Sequence, residues 1–558
     1  MSELNPVQLE IIRNALVAAA EEMSVTVWRT SRSSVVRDIL DYSTAVFDDE
    51  GRSVAQAARM PVHLNSMASC LTDLLAKFIP LADWHEGDVV ITNDPYCGGQ
   101  HLPDWLTFQP VFVDGRRIAI AGILVHHLDV GGGSPGSYHA GATEIFHEGI
   151  RIPPIKIVEA GRKNEAAIRL ILQNSREPAN VGGDFLSQLA ALDVGARNLR
   201  RIARRYGPDC LALACRRIQA QSEAAMRAAI WVVPDGRYSF EDFIDDDGID
   251  RRPLRIHARV TVAGEELTID LSGSSPQARG PVNCTYNMTD SAAFCGVMMS
   301  LGTEIAANAG CYRPIRLIAP EGLVVNARAP APVANRMACG HRIVNAVMGA
   351  FAQALPERIP AAYYGVSYSY ALNAINADHS RQVYFDLECG GWGGHPEEDG
   401  ANAFSCGFHN IANTPIELAE ASLPITFLRY GLKPDSGGPG KHRGGLGLAR
   451  EFRLDAPAGV FAASFDRFTH RPYGLAGGAG GAAGRLMLRR AGEGQEQALP
   501  SKVSDVAMRR GDVIRLETAG GGGHGAPAAR DQEAIRRDLA EGYLSAEAAR
   551  RDYGYDGT

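Results

Sequence analysis

The chain has 558 residues, of which 45% are hydrophobic and 22% charged, the balance of a globular protein with a sizeable core. That length suggests about three to four domains. A formal charge of −8, with no basic stripe interleaved with aromatics, argues against a nucleic-acid binder. No apolar run reaches the ~18 residues of a membrane span, and the start MSELNPVQLEIIRNAL has no charged n-region and apolar h-region. A cytoplasmic protein with no membrane partner is expected.

In chain order, the first element predicted is a helix over residues 6–28. Asn5 suits its cap and Pro6 its first position, and Leu9, Ile12, Leu16, Ala19, Met23 and Val27 recur on one face. DYSTAVFDDEGRSVAQ alternates and breaks at Asp49-Glu50-Gly51, a hairpin pattern. Leu71–Phe78 reads as helix. GDVVITNDPYCGGQHLPD gives a short strand entering a Gly/Pro-rich loop, and GRRIAIAGILVHHLDVGGGSPG an apolar strand ending in glycines. Residues 164–228 are helical, and from Asp235 the chain turns β-like. A mixed region follows to 427, then Gly-rich short strands over 428–518, a flexible glycine-rich loop at 519–531, and two short terminal helices, the second capped by Ser545. The fold class expected is mixed α/β (α+β), multidomain, with a β-rich C-terminal module. The domains expected are 1–230, a central 231–427, a Gly-rich β module at 428–530 and a helical tail at 531–558.

The ten cysteines, Cys406 among them, form no CxxC pair, so any metal must rely on His and carboxylate. The densest such cluster is N93-D-P-Y-C-G-G-Q-H101-L-P-D104, followed by H126-H127-L-D129. Borderline and hard divalent ions take imidazole nitrogen and carboxylate oxygen, and a catalytic site needs three or four such ligands. His101 and Asp104 flank a Pro103 turn and can converge. Neighbouring strand residues point to opposite faces, so only one of His126 and His127 can face the same ion. The glycine motifs GGWGGHP, DSGGPGKHRGGLG and GGGGHG lack the strand, helix and Lys-Ser/Thr of a P-loop. No G-x-S-x-G elbow is present.

NDPYCGGQHLPD, HHLDVGG, ATEIFHEGIRIPP, DSGGPGKHRGGLG and GGGGHGAP, in that order, resemble the hydantoinase B family over nearly the whole chain. This family includes the B-type chains of N-methylhydantoinase, the second half of ATP-hydrolysing 5-oxoprolinase, caprolactamase, and the large subunits of acetone and acetophenone carboxylases. The resemblance implies a divalent metal (Zn, Mn or Fe) on His101, Asp104, His126 and an upstream Asp. That residue is Asp41 of the LDYS motif, with Asp38 nearby as the alternative. It implies a hydantoinase A-type ATP-hydrolysing partner, hence a hetero-oligomer, and a small cyclic amide or ketone as substrate. In hydrolases of this kind the partner phosphorylates the amide carbonyl and the metal site activates water against it. His127 or Glu144 is the expected proton carrier. His63, Glu148, Asn174, Arg176 and Asp184 are polar positions of lesser weight, with Arg176 expected in a structural ion pair. Two alternatives stay open: an ATP-dependent ketone carboxylase using the same ligands, and a non-catalytic scaffold, against which intact His101, Asp104 and His126 speak.

Overall fold

The computed structural model describes every residue except 1–3, 64, 303, 406 and 558, so the cysteine at 406 lies outside the described residues. The other nine cysteines are free thiols, all but Cys210 buried. The fold is mixed α/β, with four sheets and a β-rich C-terminal part. No described helix is long and apolar enough to cross a membrane.

The first helix runs Pro6–Thr30, opened by a capping box in which Gln8 N–H donates to Asn5 Oδ1 at 2.8 Å. Its buried stripe, including Leu9, Ile12, Leu16, Met23 and Val27, is the one the periodicity picks out. The helix Pro178–Tyr206 packs beside it. Contact is close because Gly195 faces Met23, where a Cβ would lie 2.3 Å from its sulfur.

Both helices cover one face of a seven-stranded sheet. Its strands are β1 (Tyr42–Phe47), β2 (Ser53–Gln56), β3 (Val89–Thr92), β4 (Asp104–Val113), β5 (Arg116–His126), β6 (Ile155–Glu159) and β7 (Arg162–Lys163), in the order β2-β1-β5-β4-β3-β6-β7. On β5, Ala121, Ile123 and Val125 pack with the helices, while Ile120 and Leu124 join a second cluster with Leu71 and Leu74 of the helix Ser66–Lys77. Burial on both faces explains why these strands are nearly continuously apolar. The Ser66–Lys77 helix begins five residues before the predicted Leu71 because Ser66, Met67 and Cys70 add a buried turn.

The predicted helical stretch 164–228 resolves into Glu165–Leu172, Pro178–Tyr206 and Pro208–Trp231, each break marked by a proline at the start of the next helix. Beyond it lies a four-stranded sheet of Gly236–Ile244, Leu254–Ala263, Glu266–Asp270 and Ile315–Ile318, packed on the helix Arg336–Ala354. Two further sheets, built from strands between Tyr368 and Glu517, complete the β-rich part. One large core runs from Met60, Val62 and Tyr138 through Val344 and Phe385 to Ile514.

The segment 519–531, expected to be a flexible loop, is different at its N-terminal end: residues 519–524 are buried. Four glycine-rich stretches run side by side here, with Gly391 N–H donating to Ala519 O at 3.0 Å, Gly394 to Gly522 O at 2.7 Å and Gly438 to Gly521 O at 2.8 Å. A Cβ on Gly391 would sit 1.8 Å from Gly445 O, and one on Gly521 1.8 Å from Trp392 O. Backbones approach so closely that only hydrogen fits between them. Substituting Gly521→Ala should therefore abolish soluble expression or lower the melting temperature by well over 10 °C. Gly494→Ala, where a Cβ meets nothing within 4 Å, should leave the melt unchanged.

Candidate metal centre

Strand register gathers the donors. Asp104 and His126 are direct cross-strand partners at the matching ends of β4 and β5, so their side chains share a face. His126 N–H donates to the carbonyl of Asp41, at the threshold of β1, at 3.1 Å. His101 comes from the turn before β4, closed by Asp104 N–H donating to His101 O. As a result His101, Asp104 and His126 form a fully buried group whose potential ligand atoms all lie within 4.8 Å of one another. Their chemistry, two imidazoles and a carboxylate, suits a divalent ion.

Hydrogen bonding supports the same reading. His101 Nε2 lies 3.0 Å from Asp104 Oδ1, but neither ring nitrogen of His126, nor His101 Nδ1, finds a partner among the described residues. Burying an unsatisfied polar atom costs about 1–3 kcal/mol, so proteins rarely leave such atoms without a ligand to bind. Burial pushes both imidazoles well below their ordinary pKa, helped by Arg336 at His101 and by His101 at His126. Both are neutral at physiological pH and keep the lone pairs that coordination needs.

Asp41 lies beside this group without belonging to it at that spacing. Its carboxyl is pushed up to about 7 by burial and by the charge of Asp104, and Oδ1 is 3.8 Å from His63 Nε2. His63 is held from its other side by Ser43, 2.9 Å from Nδ1. The alternative upstream carboxylate, Asp38, instead lines a surface cleft with Arg32, Arg37 and Glu177.

His127 faces the opposite side of the sheet, as strand alternation requires. Its ring packs tilted against Trp105 at 3.9 Å between centroids, and its Nε2 meets Gln188 of the Pro178–Tyr206 helix at 3.1 Å. Glu144 is exposed on a surface turn, and the buried carboxylate of that segment is Glu148. Glu148 Oε1 accepts from Val333 and Ala334 N–H, both at 2.8 Å. Arg176 forms the expected ion pair, with Asp129 at 3.0 Å, bracing the glycine turn after β5. Asp184 accepts from the backbone of Arg32 and Ser33, and Asn174 is an exposed residue bonded to Leu170 O.

Four residues around the site escape sequence reading. Arg336 Nη2 donates to Asp104 Oδ2 at 2.9 Å from 232 residues away. Tyr138 and Phe385 wall the site, with ring centroids 6.3 and 5.6 Å from that of His126. His409, bonded to Ser367 Oγ at 2.7 Å, lies in the electrostatic reach of Arg336 and His63. One signal for Arg336 was available: a cation at the first position of a helix opposes the macrodipole and asks for a reason.

Residues 5–527 match the family described as Hydantoinase B/oxoprolinase. The chain belongs to that family. It is 32% identical to the beta chain of the caprolactamase of Pseudomonas jessenii over 99% of this chain and 96% of that protein. It is 31% identical to the B chain of a putative D-/L-hydantoinase of Pseudomonas sp. (strain NS671), over 99% and 95%. It matches 5-oxoprolinase 1 of Arabidopsis thaliana at 29% over 93% of this chain but 42% of that longer protein. The solved ATP-dependent caprolactamase from Pseudomonas jessenii superposes with a TM-score of 0.93 at 30% identity, covering 100% of this chain and 97% of that one. Nucleotide-free acetone carboxylase shares the fold, with a TM-score of 0.89 at 17% identity over 99% of this chain and 80% of that one.

Two outcomes check this geometry. Elemental analysis of His101→Ala, Asp104→Asn and His126→Ala should show bound divalent metal cut to about a tenth of the wild-type content or less. His127→Ala should keep its metal while losing about 2 kcal/mol of stability, through its lost hydrogen bond and ring packing. The second concerns Glu148, raised by burial from 4.5 to about 8. A carboxyl with a raised folded pKa binds its proton more tightly in the native state, so its contribution is full below 4.5 and fades up to about 8. Stability should fall by up to about 1.4 kcal/mol per pH unit across that window. Glu148→Gln should flatten the melting temperature against pH, its amide carbonyl still accepting from Val333 and Ala334.

Proposed function

We propose that this chain is the metal-site subunit of an ATP-dependent cyclic-amide hydrolase, acting on a substrate phosphorylated by a hydantoinase A-type partner. The observation that carries the reading is the buried His101–Asp104–His126 group, with unpartnered imidazole nitrogens, in a chain that matches hydrolase components over nearly its full length. Those relatives are themselves named as single components of multi-chain enzymes, which supports a hetero-oligomer with a separate ATP-handling chain. The absence of a P-loop pattern in the sequence fits that division of labour.

His101, Asp104 and His126 would hold the divalent ion, with Asp41 adjoining as a fourth donor. When bound, such an ion supplies a Lewis acid and brings the pKa of water from 15.7 down to ~7. The remaining steps belong to the protein. Arg336 fixes the Asp104 carboxylate in one orientation through Oδ2. Tyr138 and Phe385, packed on each other beside His126, would help to keep bulk water from an activated substrate. His63, with Nε2 3.8 Å from Asp41 Oδ1 and Nδ1 2.9 Å from Ser43, is placed to orient that fourth donor.

The test is ADP release by the chain co-expressed with its ATP-hydrolysing partner. Hydantoin, 5-oxoproline, a lactam and acetophenone are each offered with and without bicarbonate. A cyclic amide should drive ADP release and ring opening without bicarbonate. Turnover that requires both a ketone and bicarbonate would replace the hydrolase with a carboxylase.

A further inference from the structure

We propose that the first turn of the Arg336–Ala354 helix is an oxyanion subsite beside the metal donors, where Asn335 and the remaining nitrogens of Arg336 grip an anionic group of the substrate. The inference rests on the functional reading above in one respect: the anion belongs to the molecule processed at His101, Asp104 and His126.

Arg336 spends one nitrogen, Nη2, on Asp104; its Nε and Nη1 are buried and make no well-formed hydrogen bond among the described residues, with the Tyr138 hydroxyl as a near neighbour of the guanidinium. The preceding residue repeats the pattern. Asn335 is 2% exposed and Arg336 3%, and the Asn335 Nδ2 also finds no acceptor. As the residue before a helix Asn335 would ordinarily cap it, yet its side chain makes no capping bond. Three donor nitrogens on two consecutive buried residues thus lack a well-formed hydrogen bond at the positive end of a 19-residue helix, where anions are favoured.

The ion pairing points the same way. Among the described residues Arg336 pairs with one carboxylate, Asp104, and through a single nitrogen. Nε and Nη1 lie on opposite flanks of the planar guanidinium, so together with Asn335 Nδ2 they offer separate hydrogens to a group with several oxygens, a phosphoryl or a carboxylate. Either source is consistent with an activated cyclic amide: a phosphoryl on its carbonyl oxygen, or a carboxylate elsewhere on the molecule.

The experiment is calorimetric titration of the full chain, metal-loaded and then metal-free after chelation, with inorganic phosphate and separately with acetate. Wild type, Arg336→Lys, Arg336→Gln and Asn335→Ala are compared, with metal content measured on each. Wild type should bind at least one anion saturably and retain most of that binding after chelation. Arg336→Lys keeps a cation for Asp104 but lacks the separately placed Nε and Nη1 donors, and should bind at least tenfold more weakly, as should Arg336→Gln. Asn335→Ala should bind severalfold more weakly with unchanged metal content. Preference for phosphate assigns the subsite to a phosphoryl group, and preference for acetate to a substrate carboxylate. The proposal is overturned if neither anion binds, if binding vanishes on chelation, or if Arg336→Lys binds like wild type, which would leave Arg336 only as an orienting partner of Asp104. Failure of the hydrolase reading would show separately, as wild-type protein without metal or a complex without substrate-dependent ADP release.

Discussion

The site is organised around one buried carboxylate. Asp104 is fully enclosed, with one oxygen against His101 and the other against Arg336. A charge in such a place is tolerated only when it is paired, and breaking such a pair is far more damaging than never having built it. Because the two partners lie 3 and 232 residues away, this single group fastens the turn before β4 to the start of a helix in the central part of the chain. Glu148 repeats the device alongside, accepting from the backbone at 333 and 334. The helix start is thereby located against the sheet from two directions.

Strand alternation does the sorting. Even-numbered residues at the ends of β4 and β5 turn Asp104 and His126 into the chamber, while odd-numbered Trp105 and His127 turn towards the Pro178–Tyr206 helix. The adjacent histidines therefore have different tasks: one presents two free nitrogens, and the other anchors the sheet that presents it. A one-residue slip in register would exchange them, which is why the two apolar layers that pin the register matter as much as the donors.

Dryness sets the chemistry. The same burial that pushes the imidazoles down, keeping them as ligands, pushes Asp41 up to about 7 and Glu148 up to about 8. Tyr138 and Phe385, one from the N-terminal loops and one from a later sheet, pack on each other beside the His126 ring.

The sequence by itself determined the local elements and the nearby donors. Capping at Asn5, alternation through β5 and the tight HLPD turn are short-range effects, each legible within a dozen residues. His101, Asp104 and His126 could be grouped because a turn and a hairpin join them. Family membership was legible too, since its motifs are linear. What only tertiary structure decided is everything that rests on distant pairing: Arg336 on Asp104, His409 within reach of Arg336, His127 turned from the donors, Glu148 rather than Glu144 as the buried acid. The glycine stretch at 519–524 shows why. Taken alone, glycines look flexible; four such stretches laid together leave no room for anything but hydrogen, and close packing becomes rigid order. Periodicity records which face of an element is apolar, and carries no record of which other element will come to cover it.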